Sequence, residues 1–164
     1  MNDKPERERE IKYGDEVLGE SDPDSFYIVD LPGFGFAKVP QSQRQAWSDF
    51  FVEFLVKRKT LRVLFHLVDA RHGAIDEDVR IMRQVGQTLP KQVKYVVVLT
   101  KSDKNVKSAS TKNPGKVSRS VLQKLRQTMK DNNVGNAPVL LTSAETKLGR
   151  DNMWRYLRFA AEAK

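Results

Sequence analysis

Asp30-Leu31-Pro32-Gly33 is the first segment whose residue types suggest chemistry, and it ends an apolar run. A carboxylate at the end of a strand can hold a hydrated Mg²⁺ ion, and a glycine amide can approach a phosphate oxygen closely. Pro-Gly is also common turn chemistry, so the tetrad alone is a weak signal. We predict that all four residues contact a nucleotide and that Asp30 is the metal ligand.

A second segment, Thr100-Lys101-Ser102-Asp103, follows another apolar run. An ionised carboxylate at Asp103 can accept two hydrogen bonds from guanine N1–H and the 2-amino group, a donor pair that adenine lacks. The Lys101 stem can lie flat over the base. A solvated charge cluster after a strand is the simpler alternative for any such tetrad. We predict that Thr100, Lys101 and Asp103 bind the guanine base.

Thr142-Ser143-Ala144 closes the next apolar run. A small residue there would let a backbone N–H reach the guanine O6, although this tripeptide alone says little. In open α/β sheets ligands sit beyond the carboxyl ends of the strands, and all three segments occupy that position. We therefore predict that Thr142, Ser143 and Ala144 complete one guanine-nucleotide site.

Composition fits one soluble globular domain, with 164 residues, 39% hydrophobic and 30% charged. The chain has no cysteine, which excludes disulfides and thiolate metal sites. Its charge is uneven, because residues 100–130 carry nine Lys or Arg side chains and one acid, Asp103. This excess favours a polyanionic partner such as RNA over mere solubility. We expect residues 1–10 to be a disordered charged lead and residues 11–164 to form the domain.

Four apolar, β-branched runs predict strands buried on both faces, as in a parallel sheet covered by helices. They are Phe26–Leu31, Leu61–Asp69, Val93–Thr100 and Ala137–Thr142. Ile11–Leu18 is a candidate for a further strand. Strand and helix alternate, which predicts a three-layer α/β fold with a mostly parallel sheet flanked by helices. His66 lies within one of these runs, where we expect a hydrogen-bonded core residue.

Helical periodicity predicts four helices between and after these runs. Their expected spans are Ser42–Lys59, Asp76 to just before Pro90, Val117–Lys130 and Arg150–Glu162, with Asp76 as an N-cap. The first carries a stripe that we predict to face the core: Trp47, Phe50, Phe51, Phe54 and Leu55. The third should turn these residues inward: Val121, Leu122, Leu125 and Met129.

These segments resemble the translation-factor-related GTPases, and within them the EngB-type ribosome-assembly GTP-binding proteins. The match lies chiefly in Asp30–Pro40, DLPGFGFAKVP, with support from Val68–Gly73 and Leu99–Lys104, and the resemblance covers about residues 11–162. It implies a P-loop GTPase-like fold, GTP or GDP and Mg²⁺ as ligands, and a switch region at Asp30–Phe36. It also implies the ribosomal large subunit and its rRNA as partner, contacted through the basic Thr100–Lys130 region.

The sequence departs from GTPases in two ways. No G-x-x-x-x-G-K-[ST] loop occurs in it, so we expect a G domain truncated at its N-terminus, without the first strand, phosphate loop and first helix, and hence a fragment. The residue after Gly33 is Phe34, which cannot orient water as a glutamine does. We therefore assign no catalytic base and expect slow GTP hydrolysis even in an intact version.

Two readings remain open from the sequence. The first is a guanine-nucleotide-dependent switch in ribosome large-subunit assembly; the alternative is a nucleotide-free pseudo-GTPase acting as a basic RNA- or ribosome-binding module. A dinucleotide-dependent enzyme is disfavoured because the chain has no G-x-G-x-x-G. We expect a cytoplasmic monomer without a membrane partner, with a mitochondrion or chloroplast as the alternative location.

Overall fold

A computed structural model describes residues 26–31, 41–110 and 112–162, with only the backbone described at 41–44. Its helices are α1 (Gln41–Lys57), α2 (Asp76–Thr88), α3 (Arg119–Asp131) and α4 (Arg150–Glu162). Its strands are β1 (Val63–Asp69), β2 (Lys94–Thr100) and β3 (Val139–Leu141), and a short 3-10 helix spans Ser102–Asn105. The predicted order of strands and helices from residue 41 onward is confirmed, with ends that shift by a few residues.

The three strands form one parallel sheet in the order β1-β2-β3. Val63 pairs with Lys94 and Asp69 with Thr100, so β1 and β2 are in register along their whole length. Val97 pairs with Val139 and Leu99 with Leu141. Consequently the carboxyl ends of all three strands meet at one edge of the sheet, as the sequence pattern predicts.

Alternation along β1 places helices on both faces of the sheet. Phe65 packs edge-on against Tyr156 of α4, with ring centroids 6.1 Å apart. The next residue, His66, points to the opposite face and pairs with Asp78 of α2 at 3.0 Å. Helices α1 and α3 both contact α2 and therefore belong to its layer. The predicted three-layer α/β fold is confirmed for the described residues.

The core lies mainly between the sheet and the α1–α3 layer. Leu55, Met82 and Leu125 are fully buried, one from each of these helices. They pack against Val97 and Leu99 of β2, a strand buried along most of its length. This burial explains why the run lacks the apolar/polar alternation of a half-exposed strand.

A polar network crosses this core and joins β1, β2 and α2. His66 Nδ1 lies 2.6 Å from the Tyr95 hydroxyl, and His66 Nε2 lies 3.0 Å from Asp78 Oδ1. The other Asp78 oxygen accepts a bond from the Ile75 N–H at 2.9 Å. Burial raises the pKa of the Tyr95 phenol, and the Asp78 charge adds to the effect. The prediction that His66 is a hydrogen-bonded core residue is confirmed.

The predicted strand Phe26–Leu31 is wrong. These residues form neither helix nor strand, and Tyr27 is 57% exposed and Ile28 48% exposed. Among the described residues no strand pairs with the segment, and apolar content alone cannot hold an extended chain without a hydrogen-bonded neighbour. Leu31 nevertheless packs against the core. The candidate strand Ile11–Leu18 and residues 1–10 lie outside the described residues.

The α1 stripe is only partly buried, which corrects a second prediction. Phe51 and Leu55 are in the core and Phe54 is half-buried, but Trp47 is 37% exposed and Phe50 is 50% exposed. The other described residues cover only part of this apolar stripe. Periodicity predicts which residues share a helix face, whereas a neighbour decides how much of that face is covered.

Helix ends follow local chemistry with one correction. The N-cap of α2 is Ile75, and Asp76, predicted to be the cap, is the first helical residue. Asp78, three residues after the cap, accepts a hydrogen bond from the Ile75 N–H. This is one of the two hydrogen bonds of a capping box, and the isoleucine side chain has no oxygen to make the other. Ser118 caps α3 by accepting the Val121 N–H at 3.2 Å.

Candidate functional site at the carboxyl ends of the strands

Two of the three predicted segments meet directly through their backbones. The Ser102 N–H donates to the Thr142 carbonyl at 3.2 Å, and the Thr142 N–H donates to the Leu99 carbonyl at 2.7 Å. The Ala70 N–H, just beyond β1, donates to the Thr100 carbonyl at 2.8 Å. The loops that follow all three strands therefore form one connected surface.

Asp103 is the buried carboxylate of this surface. Its residue is 5% exposed, and its Oδ1 accepts a hydrogen bond from Ser143 Oγ at 2.8 Å. The ammonium of Lys104 lies 3.4 Å from Oδ2. The Ser143 bond, with help from Lys104, lowers the pKa of Asp103 below that of an ordinary aspartate. The carboxylate is therefore ionised at neutral pH and retains acceptor sites beside the two that these partners use.

Lys101 adopts a left-handed backbone conformation, with φ 57° and ψ 33°. At this turn the chain leaves the direction of β2 and enters the short 3-10 helix that carries Asp103. The Lys101 side chain is exposed, and its Nζ lies 3.2 Å from Asp69 Oδ2. Thr100, by contrast, is half-buried and donates from its hydroxyl to the Val68 carbonyl at 3.3 Å. Lys101 is thus the segment's outward-facing cation and Thr100 is an anchor.

Asp69 is a second carboxylate at this edge of the sheet, and the three predicted site segments do not include it. Arg71 binds it through Nε at 3.0 Å and Nη2 at 2.7 Å, and the Arg71 N–H adds a third bond at 2.9 Å. These bonds from Arg71, with Lys101, hold the pKa of Asp69 far below its usual range. An acid at the end of a strand, the feature that identified Asp30, is the signal that could have found it.

Asn105 and Gly115 tie the Asp103 loop to its surroundings. The Asn105 amide donates to the Ala70 carbonyl at 3.1 Å and to the Lys116 carbonyl at 3.0 Å. Gly115 has φ +132° and packs so close to Ser102 that a β-carbon would clash with it. The end of the loop that precedes α3 therefore supports the Asp103 segment.

The turn after β3 is equally constrained. Ser143 receives the Thr146 N–H on its hydroxyl at 3.1 Å and donates its own N–H to the Leu148 carbonyl at 3.1 Å. The Thr142 hydroxyl donates to the Leu99 carbonyl at 3.1 Å, and Ala144 is exposed at the tip. Ser143 is thereby fixed as the donor to Asp103, a role that the sequence did not assign to its side chain.

The first predicted segment stands apart from this network. Asp30 is exposed, Leu31 packs on the core, and Pro32 and Gly33 lie outside the described residues. Among the described residues, no hydrogen bond or ion pair joins Asp30 to Asp103. A single pocket containing both carboxylates therefore stays a prediction.

Several curated proteins that share one name match this chain along most of its length. A probable GTP-binding protein EngB of Levilactobacillus brevis is 31% identical over 84% of this chain and 64% of its own length. The EngB of Leuconostoc citreum is 35% identical over 80% and 61%, and that of Hyphomonas neptunium 39% over 88% and 60%. No family model matches the chain.

The chain is similar to EngB-type GTP-binding proteins over most of its length. It spans about three fifths of the length of the curated EngB proteins that it matches. The parallel sheet with helices on both faces is the part of an EngB-type α/β fold that the described residues supply.

The metal prediction for this chain depends on Asp30 alone. Within residues 26–31, 41–110 and 112–162, no group of three or more His, Asp or Glu side chains could hold a metal ion. One exposed carboxylate fits Mg²⁺ only in the way that phosphate-bound Mg²⁺ is held, by one or two carboxylates together with phosphate oxygens and water. None of the described helices is long and apolar enough to cross a membrane.

Proposed function

We propose that this chain carries the guanine-recognition part of a GTP-binding switch that acts in assembly of the ribosomal large subunit. The observation that carries the proposal is the Asp103–Ser143 pair, an ionised carboxylate fixed at the edge where the strands end. The matched EngB proteins are named as GTP-binding, which supports guanine as the base.

Guanine recognition follows from the acceptor geometry of Asp103. A carboxylate with both oxygens available to N1–H and the 2-amino group binds guanine, and it is left unpaired by adenine. Each hydrogen bond to a charged acceptor contributes about 1.5–3 kcal/mol. Ser143 orients the carboxylate from behind, and the exposed Lys101 stem can cover the base. Thr100 and Thr142 hold the two loops, and Ala144 leaves room for a backbone N–H at O6.

The phosphate side is assigned to Asp30, Leu31, Pro32 and Gly33. In this proposal Asp30 holds hydrated Mg²⁺, which neutralises phosphate charge when bound, and the Gly33 amide meets a terminal phosphate oxygen. Phe34 cannot orient water by hydrogen bonding, so hydrolysis is slow without a partner's contribution. No catalytic base is assigned.

The direct test is an NMR titration of this chain with guanosine, adenosine and xanthosine. We expect guanosine to shift the backbone amide signals of Asp103 and Ser143, and adenosine to leave them in place. In Asp103→Asn the carboxamide offers a donor to the 2-oxo group of xanthine, so preference should move from guanosine to xanthosine. Asp151→Asn, on the exposed surface of α4, is the matched control. Unchanged guanosine selectivity in Asp103→Asn would refute the assignment.

The basic segment 100–130 supports rRNA as the partner. Four of its cations lie on the exposed face of α3: Arg119, Lys124, Arg126 and Lys130. Binding of RNA through them should weaken steeply with salt, because each neutralised phosphate releases counterions. If the chain is instead a nucleotide-free RNA-binding module, guanosine will shift no signal while this salt-dependent RNA binding persists.

A further inference from the structure

A surface pocket of about 370 Å³ opens between α4 and the sheet. Its lining extends from Lys94, at the amino-terminal end of β2, to Leu140 of β3, which pairs with Val98. The lining residues are Lys94, Leu140, Asn152, Arg155, Tyr156 and Phe159. Neither the guanine-recognition proposal nor the basic segment 100–130 uses any of them.

The pocket is cationic and its charges are not neutralised. Two lining residues are basic and none is acidic. The Lys94 ammonium lies 4.5 Å from the Phe159 ring centroid, a contact that positions the cation without cancelling its charge. Among the ion pairs of the described residues, none includes Lys94 or Arg155, and both residues are exposed. An anion entering the pocket therefore meets two unpaired positive charges.

The remaining lining residues suit a base that adjoins the anion. Tyr156 is fixed edge-on against Phe65, with ring planes at 89°. Phe159 and Leu140 add half-buried apolar surface, and the exposed Asn152 amide offers donors and an acceptor. Aromatic side chains together with cations are the combination by which proteins hold single strands, since every base has a π-face. A pocket of this volume is at the lower end of the range for small ligands and has room for about one nucleotide.

Basic surface continues from the pocket along the same end of the sheet. The Lys94 N–H donates to the Arg62 carbonyl at 2.9 Å, so the two residues are neighbours on adjacent strands. Arg62 in turn donates to the Lys59 carbonyl at 2.8 Å, and Lys59 is exposed. A chain of successive phosphates that leaves the pocket toward β1 would therefore meet further cations.

We propose that this pocket binds single-stranded nucleic acid, with a phosphodiester held by Lys94 and Arg155 and an adjoining base against Tyr156 and Phe159. A phosphopeptide would use the two cations but not the aromatic rings, and a duplex would hide its bases. The proposal is independent of guanine binding and of the α3 surface.

The test is fluorescence anisotropy of a labelled oligouridylate with the whole chain over a series of salt concentrations. In Lys94→Gln/Arg155→Gln we expect affinity to fall at least about tenfold, and the slope of log affinity against log salt to shrink by about one per cation removed. The matched control is Arg80→Gln/Arg83→Gln on the exposed surface of α2, which removes the same charge from residues that neither proposal uses. Circular dichroism confirms that both variants are folded.

Tyr156→Leu separates base contact from charge. It keeps apolar volume and should weaken oligouridylate while leaving an abasic oligonucleotide of the same length unaffected. Equal losses in both double variants would overturn the proposal in favour of diffuse electrostatics. An unchanged affinity for oligouridylate in Lys94→Gln/Arg155→Gln would also overturn it. So would competition by polyglutamate or inorganic phosphate that equals competition by unlabelled oligouridylate.

Discussion

At the scale of single residues, Asp69 and Asp103 show how neighbours decide what a carboxylate can do. Asp103 is fixed by a serine hydroxyl from the next loop, which leaves a directed negative charge at the strand ends. Asp69 is saturated by Arg71 and Lys101, so it organises cations and offers little to a ligand. In our proposal the same residue type after parallel strands therefore recognises guanine in one case, whereas in the other it positions cations.

Asp69→Asn should lower the free energy of unfolding by about 1 kcal/mol or less, since the ion pairs are partly solvated. The pKa of Asp69 is depressed in the folded state, so its stabilisation is complete above the pKa of an unfolded aspartate, about 3.9. It is lost as pH falls through the folded-state pKa. The difference in free energy of unfolding between wild type and Asp69→Asn should therefore be the same at pH 7 and pH 5 and smaller at pH 3.

Urea unfolding at these three pH values measures the effect, with Glu145→Gln as an exposed control. A difference that grows as the pH falls would mean that Asp69 is not held as an ion by Arg71.

At the scale of elements, the β3–α4 connection determines where Ser143 lies. Gly149 has φ +75°, and a β-carbon there would contact the Leu141 carbonyl and lie 2.9 Å from Thr142 Cγ2. Left-handed backbone combined with close approach is the situation that requires glycine. The turn that carries Ser143 to Asp103 thus depends on one residue at the start of α4.

Gly149→Ala should lower the free energy of unfolding by about 1–3 kcal/mol through backbone strain and displacement of β3. It should also displace the Ser143 amide signal in NMR spectra. Urea unfolding provides the energy, and Gln123→Ala on the exposed face of α3 provides a control. Wild-type stability together with an unmoved Ser143 signal would show that the turn tolerates a side chain.

At the scale of the whole molecule, large apolar side chains are exposed, one of them on the first strand. Leu67 on β1 is 61% exposed, and Tyr27 and Phe50 are 57% and 50% exposed. Among the described strands β1 pairs only with β2, and none of them pairs with its other edge. Exposed apolar surface next to a strand edge favours association between chains.

We expect the chain to self-associate as its concentration rises, and Leu67→Lys to reduce that association because a lysine at an edge disfavours strand addition. Light scattering over a concentration series measures it and tests the predicted monomer directly. Ile75→Lys adds the same charge to another exposed apolar residue, 54% exposed and outside the strands, and should have less effect. A wild-type chain that is monomeric throughout would contradict the expectation.

Much of the fold and part of the site follow from the sequence because their causes are local. Apolar runs and 3.6-residue periodicity locate β1, β2 and all four helices, and Arg150–Glu162 matches its helix end to end. Placement after strands brings Asp103 and Ser143 to one edge, since parallel strands share a carboxyl end. Residue type then identifies the carboxylate as the group that reads guanine in our proposal.

Tertiary structure alone decided whatever depends on a partner distant in sequence. Phe26–Leu31 has strand composition but no strand, because a strand exists only with a neighbour to accept its hydrogen bonds. Two of the five residues of the α1 stripe are exposed because the elements that pack on a helix decide how much of its face is covered. Lys94 and Phe159 line the same pocket only because α4 folds back over β2. Local patterns predict elements and candidate groups, but burial, ion pairing and shared pockets arise when the packed chain brings distant residues together.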